Sequence, residues 1–135
     1  MGKTIVWIDD DTDIIDAVVR PLELAGHHIV RVNTVAEALT PAVLEDIRQA
    51  DLLLLDMILT PGAIEREFSR YPGKDILQEL REVHGITTPV LVLTVVRNPE
   101  VLRQLEQLGV ADILHKPVRP SVLKEKVEEV LGQKH

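Results

Sequence analysis

The chain has 135 residues, about the size of one domain, and 45% of them are hydrophobic although only one Trp, one Tyr and one Phe occur. So few aromatic residues exclude a platform on which single-stranded nucleic acid would stack. Fifteen basic and 22 acidic residues give a net charge of −7, which repels phosphate backbones and anionic membranes. We therefore expect neither nucleic acid nor a membrane as a partner.

The first apolar run, Thr4–Ile8, ends at an acidic cluster. It is too short for a signal peptide or a membrane span, so we expect a cytoplasmic protein. Similar short runs, rich in Leu, Ile and Val and without strict alternation, follow at 29–32, 52–55, 90–93 and 113–114. This pattern predicts strands that are buried on both faces.

Longer segments with helical spacing of apolar residues separate these runs. In the first gap they are Ile14, Ile15, Val18, Val19 and Leu22, and in the third Ile76, Leu77, Leu80 and Val83. Thr34 and Glu37 form a capping-box pattern at the start of the second helix, which Thr40-Pro41 interrupts. The alternation predicts one doubly wound α/β domain over residues 1–135, with a five-stranded parallel sheet and five helices.

Ligands of such folds bind outside the carboxyl ends of the strands. The residues that follow the predicted strands there are Asp9, Asp10, Asp11, Asp56, Thr94 and Lys116. Converging carboxylates repel one another unless a cation lies among them, and hard oxygen ligands completed by phosphate oxygens are typical of Mg²⁺. The pattern predicts a Mg²⁺ site and phosphoryl transfer onto a carboxylate, with Lys116 and Thr94 holding phosphoryl oxygens.

Each of these residues also has an ordinary structural interpretation. Asp11 or Asp13 suits a helix N-cap, Thr94 alone is commonly structural, and Lys116-Pro117 is a common turn. Their joint occurrence at the ends of four strands favours the functional interpretation.

Four segments, 5–11, 53–56, 92–94 and 109–117, resemble in order and spacing the receiver domain of two-component response regulators. The resemblance covers essentially the whole chain and implies a flavodoxin-like fold. It implies that Asp56 accepts a phosphoryl group from a histidine kinase or a histidine phosphotransfer protein. A receiver assists its own phosphorylation and dephosphorylation, so we expect a signalling switch rather than a conventional enzyme.

The resemblance also assigns the remaining site residues. Mg²⁺ would be bound directly by Asp10, mostly through water by Asp9, and by Asp56 and the backbone carbonyl of Ile58. Thr94 and Lys116 would each contact a phosphoryl oxygen.

The chain departs from the family in the loop after Asp56. Receivers usually carry a proline four residues after the phosphoacceptor and a glycine four residues beyond, but here Pro61 lies five after Asp56 and Gly73 a further twelve. This indicates an insertion of about nine residues within 60–73. Long loops in compact domains are usually functional or disordered.

Within the insertion, the spacing of Ile64, Phe68 and Tyr71 favours a short amphipathic helix. Three interpretations remain open for its apolar face. It folds back onto the domain, it forms a lid that slows hydrolysis of the phosphoaspartate, or it docks a partner.

Two further departures concern signal output and access. Ile113 stands three residues before Lys116, where receivers commonly have an aromatic residue that turns inward on activation. Val95-Val96 after Thr94 are bulkier than usual, and we expect them to restrict access of phosphodonors or a phosphatase to Asp56.

Because only three residues follow Gly132, we expect a stand-alone receiver that acts through an unknown downstream protein or as a phosphate sink or relay, unless the chain is a fragment. One alternative is a pseudo-receiver that binds proteins without phosphorylation. Another is a haloacid dehalogenase-like phosphatase, because residues 9–13 resemble its Asp-x-Asp-x-Thr motif, although in the wrong phase.

Overall fold

The computed structural model describes residues 2–10, 12–60, 62 and 67–132. Strands and helices alternate along them as β1 Thr4–Ile8, α1 Thr12–Leu24, β2 His28–Val32, α2 Val35–Ala38, α3 Pro41–Gln49, β3 Leu52–Asp56, α4 Pro72–Glu82, β4 Val90–Thr94, α5 Pro99–Gln107, β5 Asp112–His115 and α6 Pro120–Leu131. The strands form one parallel sheet in the order β2-β1-β3-β4-β5. The predicted five-stranded, flavodoxin-like fold is confirmed.

The sheet is covered on both faces, which explains why its strands lack polar alternation. Alternate residues of β1 belong to two separate core clusters, with Val6 and Ile8 in one and Ile5 and Trp7 in the other. In β3 and β4 every residue is buried. Both sides of these strands therefore carry apolar side chains that pack under helices. Over the described ranges, no helix combines the length and apolar character that a membrane crossing requires.

The second predicted helix is two helices, so the described residues contain six helices where we expected five. Thr34 caps α2 by accepting a hydrogen bond from the Glu37 N–H. The Thr40 hydroxyl donates to the Glu37 carbonyl at 2.8 Å and also accepts from the Val43 N–H. Pro41 then begins α3 at a position where a missing N–H costs little. Thr40-Pro41 thus ends one helix and starts the next.

The described end of the insertion, residues 67–71, is not helical, so the predicted amphipathic helix is wrong there. Phe68 and Tyr71 are partly buried against the cluster that contains Val6 and Ile8. The Ser69 N–H and hydroxyl both donate to the Asp75 carboxylate in the first turn of α4, at 2.7 and 2.8 Å. For these two aromatic residues the folding-back interpretation is therefore confirmed.

Several predictions fall outside the described residues. They concern Asp11, the side chain of Asp13, Pro61 and Ile64. The N-cap interpretation of the two aspartates and the lid hypothesis therefore stay predictions.

Candidate functional site

The parallel sheet brings the predicted site residues to one edge. Asp9 follows β1 directly, Asp56 and Thr94 end β3 and β4, and Lys116 follows β5. The register pairs Asp56 with Leu93 and places Thr94 opposite the last residue of β5. All four side chains start from neighbouring carboxyl ends of strands, where ligands bind in such folds.

The ammonium group of Lys116 lies between two carboxylates. Its Nζ donates to Asp9 Oδ2 and to Asp56 Oδ2, each at 3.0 Å. The side chains of Lys116, Asp9 and Asp56 are 10%, 0% and 8% exposed. Burial costs all three ions much of their hydration, so these hydrogen bonds are needed to offset that cost.

The environment changes the pKa values of Asp56 and Lys116. Burial raises the pKa of the Asp56 carboxyl, contacts with Lys116 oppose this rise, and the nearby charge of Asp9 adds to it. Burial by itself lowers the pKa of the Lys116 ammonium, but its contacts with Asp56 and Asp9 outweigh that effect and the net shift is upward. Lys116 therefore remains a cation at neutral pH.

The backbone of the following loop orients Asp56. The Ile58 N–H donates to Asp56 Oδ1 at 3.2 Å, while Oδ2 accepts from Lys116. Both oxygens of the carboxylate are therefore held. Ile58 is 46% exposed beside this site, and the predicted role of its carbonyl as a metal ligand stays a prediction.

Three carboxylates could hold a metal ion at this edge. Asp9, Asp10 and Asp56 each offer one oxygen, and these oxygens lie within 4.8 Å of one another. An all-oxygen set of ligands fits a hard divalent cation such as Mg²⁺. Asp10 is exposed, so this side of the set is open to the waters that Mg²⁺ usually retains.

Thr94 is fully buried and has a fixed hydrogen bond. Its Oγ1 accepts from the Val96 N–H at 3.0 Å, and its carbonyl accepts from the Lys116 N–H at 2.9 Å. Val96 is buried, whereas Val95 is 56% exposed. Of the two bulky residues after Thr94, only Val95 is thus available to hinder an approaching protein.

The structure adds two residues that the sequence analysis did not assign to the site. The Thr60 hydroxyl donates to Asp10 Oδ2 at 2.8 Å. The Gly73 N–H donates to the Met57 carbonyl at 2.9 Å, beside the phosphoacceptor predicted at Asp56. Nothing in the sequence indicates the Thr60 contact. Gly73 stands out in the sequence by its place after the insertion, but only the structure shows that its N–H bonds beside Asp56.

Ile113 lies in β5 opposite Val92 and packs, partly buried, against the core. An aliphatic side chain that packs on the core therefore occupies the position where receivers commonly have an aromatic residue.

Comparisons with known proteins agree with this arrangement. Residues 5–128 match the response regulator receiver domain family. Over 131 residues, 97% of this chain, the sequence is 30% identical to the phosphate regulon transcriptional regulatory protein PhoB of Pseudomonas aeruginosa, of which it covers 52%. It is 35% identical over 102 residues, 73% of this chain, to the sensory/regulatory protein RpfC of Xanthomonas campestris, of which it covers 12%.

The chain thus spans about half the length of the first relative and about an eighth of the second. Among solved structures, a CheY-like response regulator receiver domain protein from Methanospirillum hungatei matches with a TM-score of 0.73 and 26% identity. The match covers 97% of this chain and 94% of that one. This chain therefore belongs to the receiver domain family of two-component response regulators.

Proposed function

We propose that this receiver is a phosphoacceptor switch in which Asp56 takes a phosphoryl group from the phosphohistidine of a histidine kinase or a histidine phosphotransfer protein. The observation that carries the proposal is the Lys116 ammonium, 3.0 Å from both Asp56 and Asp9. A scaffold used only for binding gains little from burying two carboxylates around one ammonium. A site that must receive a negatively charged phosphoryl group needs such a cation.

Asp56 is oriented for nucleophilic attack because both its oxygens are held, one by the Ile58 N–H and one by Lys116. One carboxylate oxygen forms the new bond to phosphorus while the bond between phosphorus and the donor nitrogen breaks. The electron pair of that bond returns to the imidazole of the donor. The charged Lys116 then pairs with a phosphoryl oxygen.

Thr94 completes the set of donors. Its oxygen accepts from the Val96 N–H, so its hydroxyl proton is available for a phosphoryl oxygen. The hydrogen bond from the Lys116 backbone N–H to the Thr94 carbonyl keeps both residues at the same end of the sheet.

Asp9, Asp10, Asp56 and the backbone carbonyl of Ile58 are the groups that would hold Mg²⁺. When bound, Mg²⁺ supplies positive charge that neutralises the oxygens of the transferred group. The oxygen-only cluster of carboxylates supports this assignment.

The output of the switch is a changed interaction with a partner protein. We propose that residues 1–135 form a single receiver domain, with an insertion at about 60–73, that works in the cytoplasm. The net charge of −7 supports partners other than nucleic acid or an anionic membrane.

The test uses the full chain with acetyl phosphate, in the presence and absence of Mg²⁺, and intact-mass spectrometry. We expect one phosphoryl adduct per chain with Mg²⁺ and none with EDTA. Asp56→Asn removes the adduct, whereas Asp46→Asn, at an exposed position in α3, retains it. No adduct on the wild type would favour a pseudo-receiver, and repeated release of phosphate from phosphomonoesters would favour a phosphatase.

A further inference from the structure

A hydroxyl outside the assigned site contacts the carboxylate of Asp10. Thr60 Oγ1 donates to Asp10 Oδ2 at 2.8 Å. Thr60 lies four residues after Asp56, in the loop that leaves β3. This loop therefore reaches back to the end of β1, 50 residues earlier in the chain.

The backbone of Thr60 is held by the start of α2. The Thr60 carbonyl accepts from the Val35 N–H at 3.1 Å, and Thr60 pairs with Thr34 in an isolated parallel bridge. Gly62, with a φ of +81°, lies so close to Thr34 that an added Cβ would stand 2.9 Å from the Thr34 hydroxyl oxygen. The main chain at Thr60 and at Gly62 thus lies against the start of α2.

Asp10 differs from the other two carboxylates of the cluster. Asp9 and Asp56 are buried, whereas Asp10 is exposed, so packing does not select its rotamer. An exposed side chain loses conformational entropy when a ligand immobilises it. A hydrogen bond from the hydroxyl of Thr60, whose main chain is already held by α2, removes part of that cost before the ligand arrives. This hydrogen bond occupies Oδ2 of Asp10 and leaves Oδ1 for a cation.

We propose that Thr60 is a positioning residue for the metal site, which orients Asp10 for Mg²⁺ through this hydrogen bond. The inference rests on the proposed function, because it requires Asp10 to bind Mg²⁺. Hydrogen-bond partners of ligating carboxylates typically contribute 10- to 100-fold in metal affinity. A proline, usual in receivers at this position, has no hydroxyl, so the contact is a property of the altered loop of this chain.

The test measures the Mg²⁺ dissociation constant of the unphosphorylated full chain by isothermal titration calorimetry. We expect Thr60→Val and Thr60→Ala to weaken Mg²⁺ binding about tenfold, and Thr60→Ser, which keeps the hydroxyl, to stay within about twofold of the wild type. Thr87→Val, at an exposed threonine before β4, is the matched control and leaves affinity unchanged. Thermal unfolding in EDTA establishes that each variant is folded.

A second readout separates positioning from chemistry. Because Thr60 donates its hydrogen bond to Asp10, loss of this hydrogen bond is expected to weaken Mg²⁺ binding and not the chemical step. At saturating Mg²⁺, the hydroxyl-free variants should therefore be phosphorylated by acetyl phosphate at a rate within about twofold of the wild type. Equal Mg²⁺ affinity in the wild type and both hydroxyl-free variants overturns the inference and leaves the proposed function intact. The inference is also overturned if Thr60→Ser weakens Mg²⁺ binding as much as Thr60→Val and Thr60→Ala do. A wild type that binds no Mg²⁺ overturns the metal-dependent function itself, and this inference with it.

Discussion

Gly73 lies directly against the backbone of Asp56. A Cβ built at position 73 would stand 1.9 Å from the Asp56 carbonyl oxygen and 2.6 Å from Cα of Met57. The Gly73 N–H also donates to the Met57 carbonyl. The start of α4 therefore contacts the main chain of Asp56, the proposed phosphoacceptor, and no residue with a side chain fits at position 73 unless α4 or that main chain moves. However long the insertion is, the chain returns to the site at Gly73.

We predict that Gly73→Ala destabilises the protein. The added methyl must displace backbone, and overpacking of this kind costs roughly 1–3 kcal/mol or more. In a domain of this size we expect a fall of at least several degrees in the melting temperature followed by circular dichroism. Gly132→Ala, at the end of α6, is the milder control, because a Cβ there would stand 3.3 Å from its nearest neighbour, the Glu128 carbonyl oxygen. Equal melting temperatures for Gly73→Ala and the wild type would contradict the contact.

Replacing Lys116 leaves two carboxylates buried together without their cation. We predict that Lys116→Met lowers the melting temperature in EDTA, since removing one member of a buried ionic group typically costs about 3–5 kcal/mol. Added Mg²⁺ should then raise the melting temperature of the variant more than that of the wild type, because the metal replaces the lost positive charge. Lys124→Met in α6 is the control for loss of a lysine. An identical response to Mg²⁺ in Lys116→Met and the wild type would argue against a shared cation site.

Two buried threonines lie near opposite ends of β4, and substituting each of them distinguishes an effect on stability from an effect on phosphorylation. In Thr94→Val the Val96 N–H loses its acceptor, which costs about 1–3 kcal/mol, and the proposed donor to the phosphoryl group is lost. We expect lower stability to urea and phosphorylation by acetyl phosphate slowed about tenfold or more, with Thr94→Ser close to the wild type.

Thr88 is the matched control for this prediction. Its hydroxyl donates to the Ile47 carbonyl at 2.6 Å, in a buried contact before β4. Thr88→Val should lose comparable stability without any change in the phosphorylation rate. A similar slowing in both variants would show that the effect of Thr94 is only structural.

The pair formed by Asp112 and Lys126 predicts a pH-dependent contribution to stability. Lys126 Nζ lies 2.9 Å from Asp112 Oδ2, and the Ile113 N–H donates to the same carboxylate. Burial opposes ionisation of Asp112, but the hydrogen bonds from Lys126 and Ile113 outweigh it and hold its pKa below the ordinary value of 3.8. The folded state therefore favours the carboxylate, so the stabilisation is fully present well above pH 3.8 and is lost progressively as the pH falls through 3.8 to the lower pKa of the folded state.

We expect Asp112→Asn to lower the melting temperature only slightly at pH 7, because solvent screens an exposed ion pair. The difference from the wild type should narrow as the pH falls from 5 to 3 and also in 1 M NaCl, which screens exposed charges. Asp46→Asn controls for the general effect of losing a negative charge. A difference that stays constant with pH would rule out this ion pair as its source.

The order of strands and helices was predictable because the spacing of apolar residues within each segment indicates which of its faces are buried. Strands buried on both faces read as unbroken runs of Leu, Ile and Val, and helices read as apolar residues three and four apart. The candidate site was predictable for a related reason. Once the strands are parallel, Asp9, Asp56, Thr94 and Lys116 must share one edge of the sheet.

Tertiary structure decided what depends on segments distant in the chain. The spacing of Phe68 and Tyr71 favours a helix, but their packing on the core and the bonds from Ser69 to Asp75 hold residues 67–71 in a non-helical form. The contact of Thr60 with Asp10 has no local signal, because it depends on how a loop after β3 lies against α2. Periodicity describes which face of an element is buried, whereas the partner of a single hydroxyl is set only when separate loops meet in the folded chain.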